Sequence, residues 1–203
     1  ELLASKKALI IPPNAQPLTA AEQTAVKQYV ASGGGLLLIG HCGYQDPSPA
    51  LAATYGITFD VASRFAPPVD RTPVIGGANN ADLPWLDGVD PLLQIYGQSL
   101  TLSGRAVTLL DSLGNDAWSD ANGSEIYDQG EEGLFNLMGG YDTGCSRVAA
   151  IADSQFCDDC LNMSNRQEND VLMRAVLRWV TSPRSCPIPG MDHNLFMPFI
   201  KHR

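Results

Sequence analysis

The stretch Ala31 to Gln45, ASGGGLLLIGHCGYQ, decides the fold. Its three glycines, Gly33, Gly34 and Gly35, close a preceding helix, and Leu36 to Ile39 form an apolar run without alternation. Gly40-His41-Cys42-Gly43 then makes a sharp exit. An apolar strand with no polar face is buried on both sides, as in a parallel sheet covered by helices. In such sheets the ligand crevice lies beyond the carboxyl ends of the strands, so His41 and Cys42 stand where chemistry is expected.

Working outward on the N-terminal side, Lys7 to Pro12, KALIIP, reads as a buried strand stopped by Pro12-Pro13-Asn14. Thr19 is an N-cap with Glu22 three residues on, a capping box. Val26, Tyr29 and Val30 continue a helical face up to the glycines. Strand, helix and strand over about 35 residues make a right-handed crossover unit.

On the other side, Pro49 to Tyr55 reads as a short helix ending at Gly56, and Ile57 to Val61 as a strand. Residues 62–105 are rich in Pro, Gly, Asn and Asp and carry little periodicity. Ala106 to Leu110 is a strand, and 111–133 a polar loop. Leu134 to Met138 is expected to pair with Arg147 to Ala152 as a hairpin across Gly139 to Gly144. Glu168 to Val180 is the clearest helix, with Val171, Leu172, Ala175, Val176 and Trp179 on one side. The predicted domain is 1–184, followed by an irregular tail over 185–203 that carries Pro187, Pro189 and Pro198.

The chain has 203 residues, 44% hydrophobic and 17% charged, enough to bury one large core. A net charge of -9 opposes unassisted binding to phosphate backbones or anionic lipid, so nucleic acid is not an expected partner. No apolar stretch approaches the roughly 20 residues that span a bilayer, so no direct membrane insertion is expected. The first residues, ELLASKK, lack the order of a signal peptide.

Five cysteines include the pair Cys157 and Cys160. They can be disulfides of an exported protein, a redox or metal pair, or reduced core thiols. The disulfide candidates are Cys42, Cys145, Cys157, Cys160 and Cys186. Asp158 and Asp159 disfavour thiolates by like charge and argue against a redox motif. With Asn122-Gly-Ser and Asn162-Met-Ser as possible glycosylation acceptors, the reading favours an extracellular, periplasmic or cell-surface protein, the cytoplasm being the alternative.

A catalytic Cys42 needs a base, because a free thiol with a pKa of about 8.5 is mostly protonated at neutral pH. His41 is its neighbour, but successive residues at a strand end point to opposite faces. A metal at Cys42, Cys157, Cys160 and His41 would have one C-x-x-C pair where two make a strong zinc signal. Asp116, Asp120, Asn122 and Glu125 are calcium candidates, yet Asp120-x-Asn122-Gly-x-Glu125 is only a fragment of a calcium loop and reads first as a solvated acidic turn. No metal and no cofactor is expected. Asp153 and Ser154, after the strand ending at Ala152, complete the candidates at the ligand edge.

The order ALIIPP, LTAAEQTAVKQYV, GGGLLLIGHCGYQ, LAATYGI, LPWLDGVDPLL, AVTLL, AWSD, GCSRVAAIADSQFCDD and NDVLMRAVLRWV resembles class I glutamine amidotransferase-like domains. It resembles in particular those attached to bacterial membrane and surface proteins of unknown role and, more distantly, the related domain of an intraflagellar transport subunit. The resemblance covers roughly residues 5–182 and implies an α/β three-layer, flavodoxin-like sandwich with a mostly parallel sheet. It also implies a strand ahead of Lys7 that the chain as given has no room for. Asp153-Ser154 resembles a polar pair at the ligand edge of such domains. True amidotransferases carry a G-x-C-x-G elbow and a later His-x-Glu pair. Gly40-His41-Cys42 matches half of the elbow, Tyr44 replaces its second glycine, and His-x-Glu is absent. The expectation is a non-catalytic binding or assembly module, meeting a protein partner or further copies of itself through the tail and an open sheet edge. The alternative is a cysteine hydrolase or amidotransferase using Cys42, with its base from His193 or another chain.

Overall fold

The computed structural model describes residues 6–13, 16–41, 48–60, 76–77, 98–112, 118–119, 122, 124, 127–152, 154 and 166–182. The elements in chain order are β1 (Ala8–Ile11), α1 (Ala20–Ala31), β2 (Gly35–Ile39), α2 (Pro49–Ala53), β3 (Ile57–Asp60), β4 (Gly76–Gly77), β5 (Ser99–Leu102), β6 (Val107–Ser112), β7 (Asn136–Asp142), β8 (Arg147–Ile151) and α3 (Arg166–Thr181).

The unit β1-α1-β2 forms as its sequence dictates. Thr19 Oγ1 accepts from the Glu22 N–H at 3.3 Å, and the Glu22 carboxylate accepts from the Thr19 N–H at 2.8 Å, so the capping box is closed. Val26, Tyr29 and Val30 are the buried side of α1. Every residue of β2 is buried, and β2 lies between β1 and β8, parallel to both. Its alternate residues feed two cores. Leu36 and Leu38 pack with Val26, Tyr29 and Val30 of α1, while Leu37 and Ile39 pack with Leu172, Ala175, Val176 and Trp179 of α3.

Beyond β8 the sheet departs from the expected mostly parallel, flavodoxin-like three-layer sandwich. The order is β1-β2-β8-β7-β5-β3, with β6 joined to β7 and β4. Among the described residues the pairs β1/β2 and β2/β8 alone are parallel, and β7 is antiparallel to β8, β6 and β5. The sheet is therefore mixed, and it curls into a half-barrel with few helices. Register shifts between β6 and β7 at Thr108/Leu110 and Leu110/Asp111 are the kind of irregularity that bends a ladder and raises its twist. A buried apolar run shows that a strand is covered on both faces. It does not fix the direction of strands paired far along the chain.

The expected hairpin exists with its turn moved. Gly139 and Gly140 belong to β7, and the reversal lies at Thr143 to Ser146, where the Thr143 N–H donates to Ser146 O at 3.0 Å and Gly144 has φ +87°. Packing keeps both glycines in the strand: a Cβ on Gly139 would stand 2.6 Å from Leu102 Cδ2, and one on Gly140 2.7 Å from Trp179 Cη2. The strand β5 interrupts a region read as irregular.

The expected set of disulfides is also corrected. No disulfide is seen with both of its halves among the described residues, since Cys42, Cys157, Cys160 and Cys186 lie outside them. Cys145, which lies within them, has its sulfur in the disulfide-bonded state. The tail 185–203, with Pro187, Pro189, Pro198 and His193, lies outside the described residues as well.

Candidate functional site at the carboxyl ends of β2 and β8

Strands β2 and β8 run side by side in one direction and end together. The Gly40 N–H donates to Ile151 O at 2.8 Å, which carries the parallel ladder one residue past β2. Gly40 is required here by crowding. A Cβ on it would lie 2.6 Å from Ala152 O, 2.7 Å from Gln98 Nε2 and 2.8 Å from Phe59 Cδ1. Its φ is not positive, so of the two reasons for a glycine at a strand exit, close approach is the one that applies.

His41 follows, and its Nδ1 shares a hydrogen bond of 2.5 Å with Ser154 Oγ, residues 113 apart in sequence. Both side chains are partly buried. Which atom donates depends on the imidazole tautomer, and in either case the contact fixes the ring relative to the end of β8. Two of the four ligand-edge residues expected from sequence are thus brought together. Cys42 and Asp153 lie outside the described residues, and with Cys42 lies the nucleophile of the cysteine-enzyme alternative.

Sequence reading missed what lines the same place from the antiparallel side. Gln98, 1% exposed, leads into β5 and puts its amide nitrogen against Gly40. The next residue, Ser99, donates from its Oγ to Asp60 Oδ2 of β3 at 3.4 Å. The signal available was the alternation Ser99, Leu100, Thr101, Leu102, a short strand pattern hidden by the loop-like residues around it.

The acidic loop resolves differently. Asn122 Nδ2 donates to Asp128 Oδ2 at 2.7 Å, its Oδ1 accepts from the Ser124 N–H at 2.8 Å, and the Glu131 and Glu132 carboxylates accept from the Asp128 and Gly130 N–H groups. These oxygens are used in holding a turn, and among the described residues no group of three His, Cys, Asp or Glu side chains is placed to hold a metal. Asp116, Asp120 and Glu125 lie outside the described residues.

Fold and site together define an α/β domain with a short parallel core, an antiparallel extension and a polar edge where the two meet. A solved structure described as "mmIFT52 N-terminal domain" shares that fold, with a TM-score of 0.68 at 19% identity, covering 89% of this chain and 79% of that one. A cold-adapted β-galactosidase from Rahnella sp. R3 matches at 14% identity and a TM-score of 0.47, covering 90% of this chain and 24% of that one. At these identities the first likeness is one of fold, and the second carries no argument. No family model matches the sequence, and no curated protein matches it. No helix among the described residues is long and apolar enough to cross a membrane.

Proposed function

We propose that the chain is a non-catalytic binding or assembly module of an exported or surface-associated protein, and that it meets its partner along the outer edge of β1. The observation that carries this reading is the state of β1. Among the described residues it pairs with β2 alone, and Ile10 at its centre is 45% exposed. A strand with one unpaired side offers N–H and C=O groups to an incoming strand. The absence of a His-x-Glu pair from the sequence supports a role without amidotransferase chemistry. That the solved domain sharing the fold comes from a protein named for intraflagellar transport is compatible with an assembly role and does not identify a partner here.

Sedimentation equilibrium at micromolar concentrations tests the reading. The parent chain is expected to associate, and Ile10→Lys, which places a charge on the edge, is expected to be a monomer of unchanged Tm. A parent that is an ideal monomer and binds no other copy, or an Ile10→Lys variant that associates as the parent does, contradicts it.

A further inference from the structure

Alternation along β1 fixes which of its backbone groups face away from the sheet. The Gly35 N–H donates to Lys7 O at 3.0 Å, and β1 runs parallel to β2 with Ala8 beside Gly35. In a strand the N–H and C=O of one residue point to the same side, and those of the next residue to the other. Leu9 and Ile11 therefore turn their groups to β2, while Ala8 and Ile10 turn theirs outward. Among the described residues no strand takes these outward groups. The edge they form is bounded at both ends. Pro12, the next outward position, has no N–H to give, and Lys6 O already accepts from the Tyr29 hydroxyl at 3.1 Å. The side chains divide between the two faces with the same period. Ala8 packs with the core under α3, and Leu9 and Ile11 with the core under α1. Ile10 shares the face of Ala8 and is exposed there.

Resting on the reading that β1 is the binding edge, we propose that its partner is β1 of a second copy of this chain, antiparallel, with the two-fold axis at Leu9. Leu9 then faces Leu9, and Ala8 and Ile10 of each copy exchange both of their hydrogen bonds with Ile10 and Ala8 of the other. No outward group of the strand is left over. Facing side chains lie on the same side of a sheet, so a two-fold antiparallel pair is always centred on a residue, and the rival registers are centred on Ile10 or Ala8. Centred on Ile10, Ala8 meets Pro12, which has no N–H for Ala8 O. Centred on Ala8, Ile10 meets Lys6, whose oxygen is already engaged, and the two Lys7 side chains come to diagonal positions about 7–8 Å apart. A parallel two-fold pair sets Lys7 directly beside Lys7. Centred on Leu9, each exposed Lys7 stands opposite Ile11 of the other copy, and the two lysines are about 13 Å apart along the ladder, beyond the screening length of about 8 Å at physiological salt. The same register covers Ile10, whose neighbour across the ladder is the small Ala8 and whose diagonal neighbour is the second Ile10. The interface is self-complementary and closes at two copies, so the joined sheet has no edge left there for a third.

An equal mixture of carbon-13-labelled and unlabelled full chain, at a concentration where sedimentation finds the dimer, tests the register by isotope-filtered NOE spectroscopy. Across a non-hydrogen-bonded antiparallel pair the Cα atoms are about 4.5 Å apart, so an intermolecular contact from Leu9 Hα to Leu9 Hα is expected. Hydrogen exchange on the same sample is expected to show the Ala8 and Ile10 amides protected in the dimer and exposed on dilution. Intermolecular contacts centred on Ala8 or Ile10, or in a parallel pattern, overturn this proposal and leave β1 standing as the binding edge. So does a monomer whose Ala8 and Ile10 amides become protected only when a different protein is added. A dimer without β1 contacts, or a monomer whose Ala8 and Ile10 amides are never protected, overturns both the proposal and the reading on which it rests.

Discussion

Strands β2 and β7 both lie inside one sheet, yet different contacts hold them in place. β2 is five apolar residues, buried throughout, with parallel neighbours on each side and a helix on each face. β7 carries Gly139 and Gly140 at its centre and bridges the parallel strands to the antiparallel ones. β2 is placed by its own side chains. β7 is placed by what arrives from elsewhere, including Leu102 of β5, Leu109 of β6 and Trp179 of α3, which fill the space that its missing side chains leave.

Glycine substitutions sharpen the contrast. Gly40→Val, just beyond β2, directs its Cβ at the backbone oxygen of Ala152, which cannot retreat without breaking the ladder. The variant is expected to be unfolded or to lose at least about 3 kcal/mol in urea denaturation. A melt within a degree or two of the parent would remove the crowding argument. Gly139→Ala meets the end of a flexible Leu102 side chain instead, and its expected cost is about 1–3 kcal/mol, as for a mildly overpacked core. If the two variants lose equal stability, the distinction between a backbone obstruction and a side-chain obstruction is wrong here.

Smaller effects probe each half separately. Removing the N-cap of α1 by Thr19→Ala should cost about 1 kcal/mol, read from the urea midpoint, because it strips one side of the closed capping box. Last come the tyrosines, whose effect is confined to alkaline solution. Burial pushes the Tyr29 phenol up to about 12, and burial together with the neighbouring Tyr141 does the same for Tyr55. A raised folded pKa means that the unfolded chain loses these protons first. Their contribution is therefore complete below pH 10 and declines as pH rises from about 10 to about 12. Tyr29→Phe on α1 and Tyr55→Phe after α2 should each flatten part of that decline, and pH-dependent denaturation that is identical in parent and both variants would contradict the assignment.

The same contrast sets what could be read from sequence. The capping box at Thr19, the buried run Leu36–Ile39 and the helix over Glu168–Val180 are local patterns, and all three are present, the strand beginning one residue earlier at Gly35 and the helix extending to Arg166–Thr181. The direction of β7 relative to its neighbours, the run of that strand through two glycines and the existence of β5 depend on pairing between residues far apart, and no local period records it. At the site, His41 and Ser154 are each placed at the ligand edge by sequence because each follows the end of a strand, but their meeting depends on the pairing of β2 with β8, residues far apart in the chain. Gln98 was hidden because its position depends on β5, and β5 could not be told from the loop around it.

The central claim, that β1 presents a free edge to a partner, is tested most directly by hydrogen exchange of the β1 amides as protein concentration is raised. The account predicts that protection over Ala8–Ile11 rises with concentration in the parent and stays constant in Ile10→Lys, while the β2 amides remain protected throughout. Protection over Ala8–Ile11 that is the same at every concentration in both proteins would contradict it.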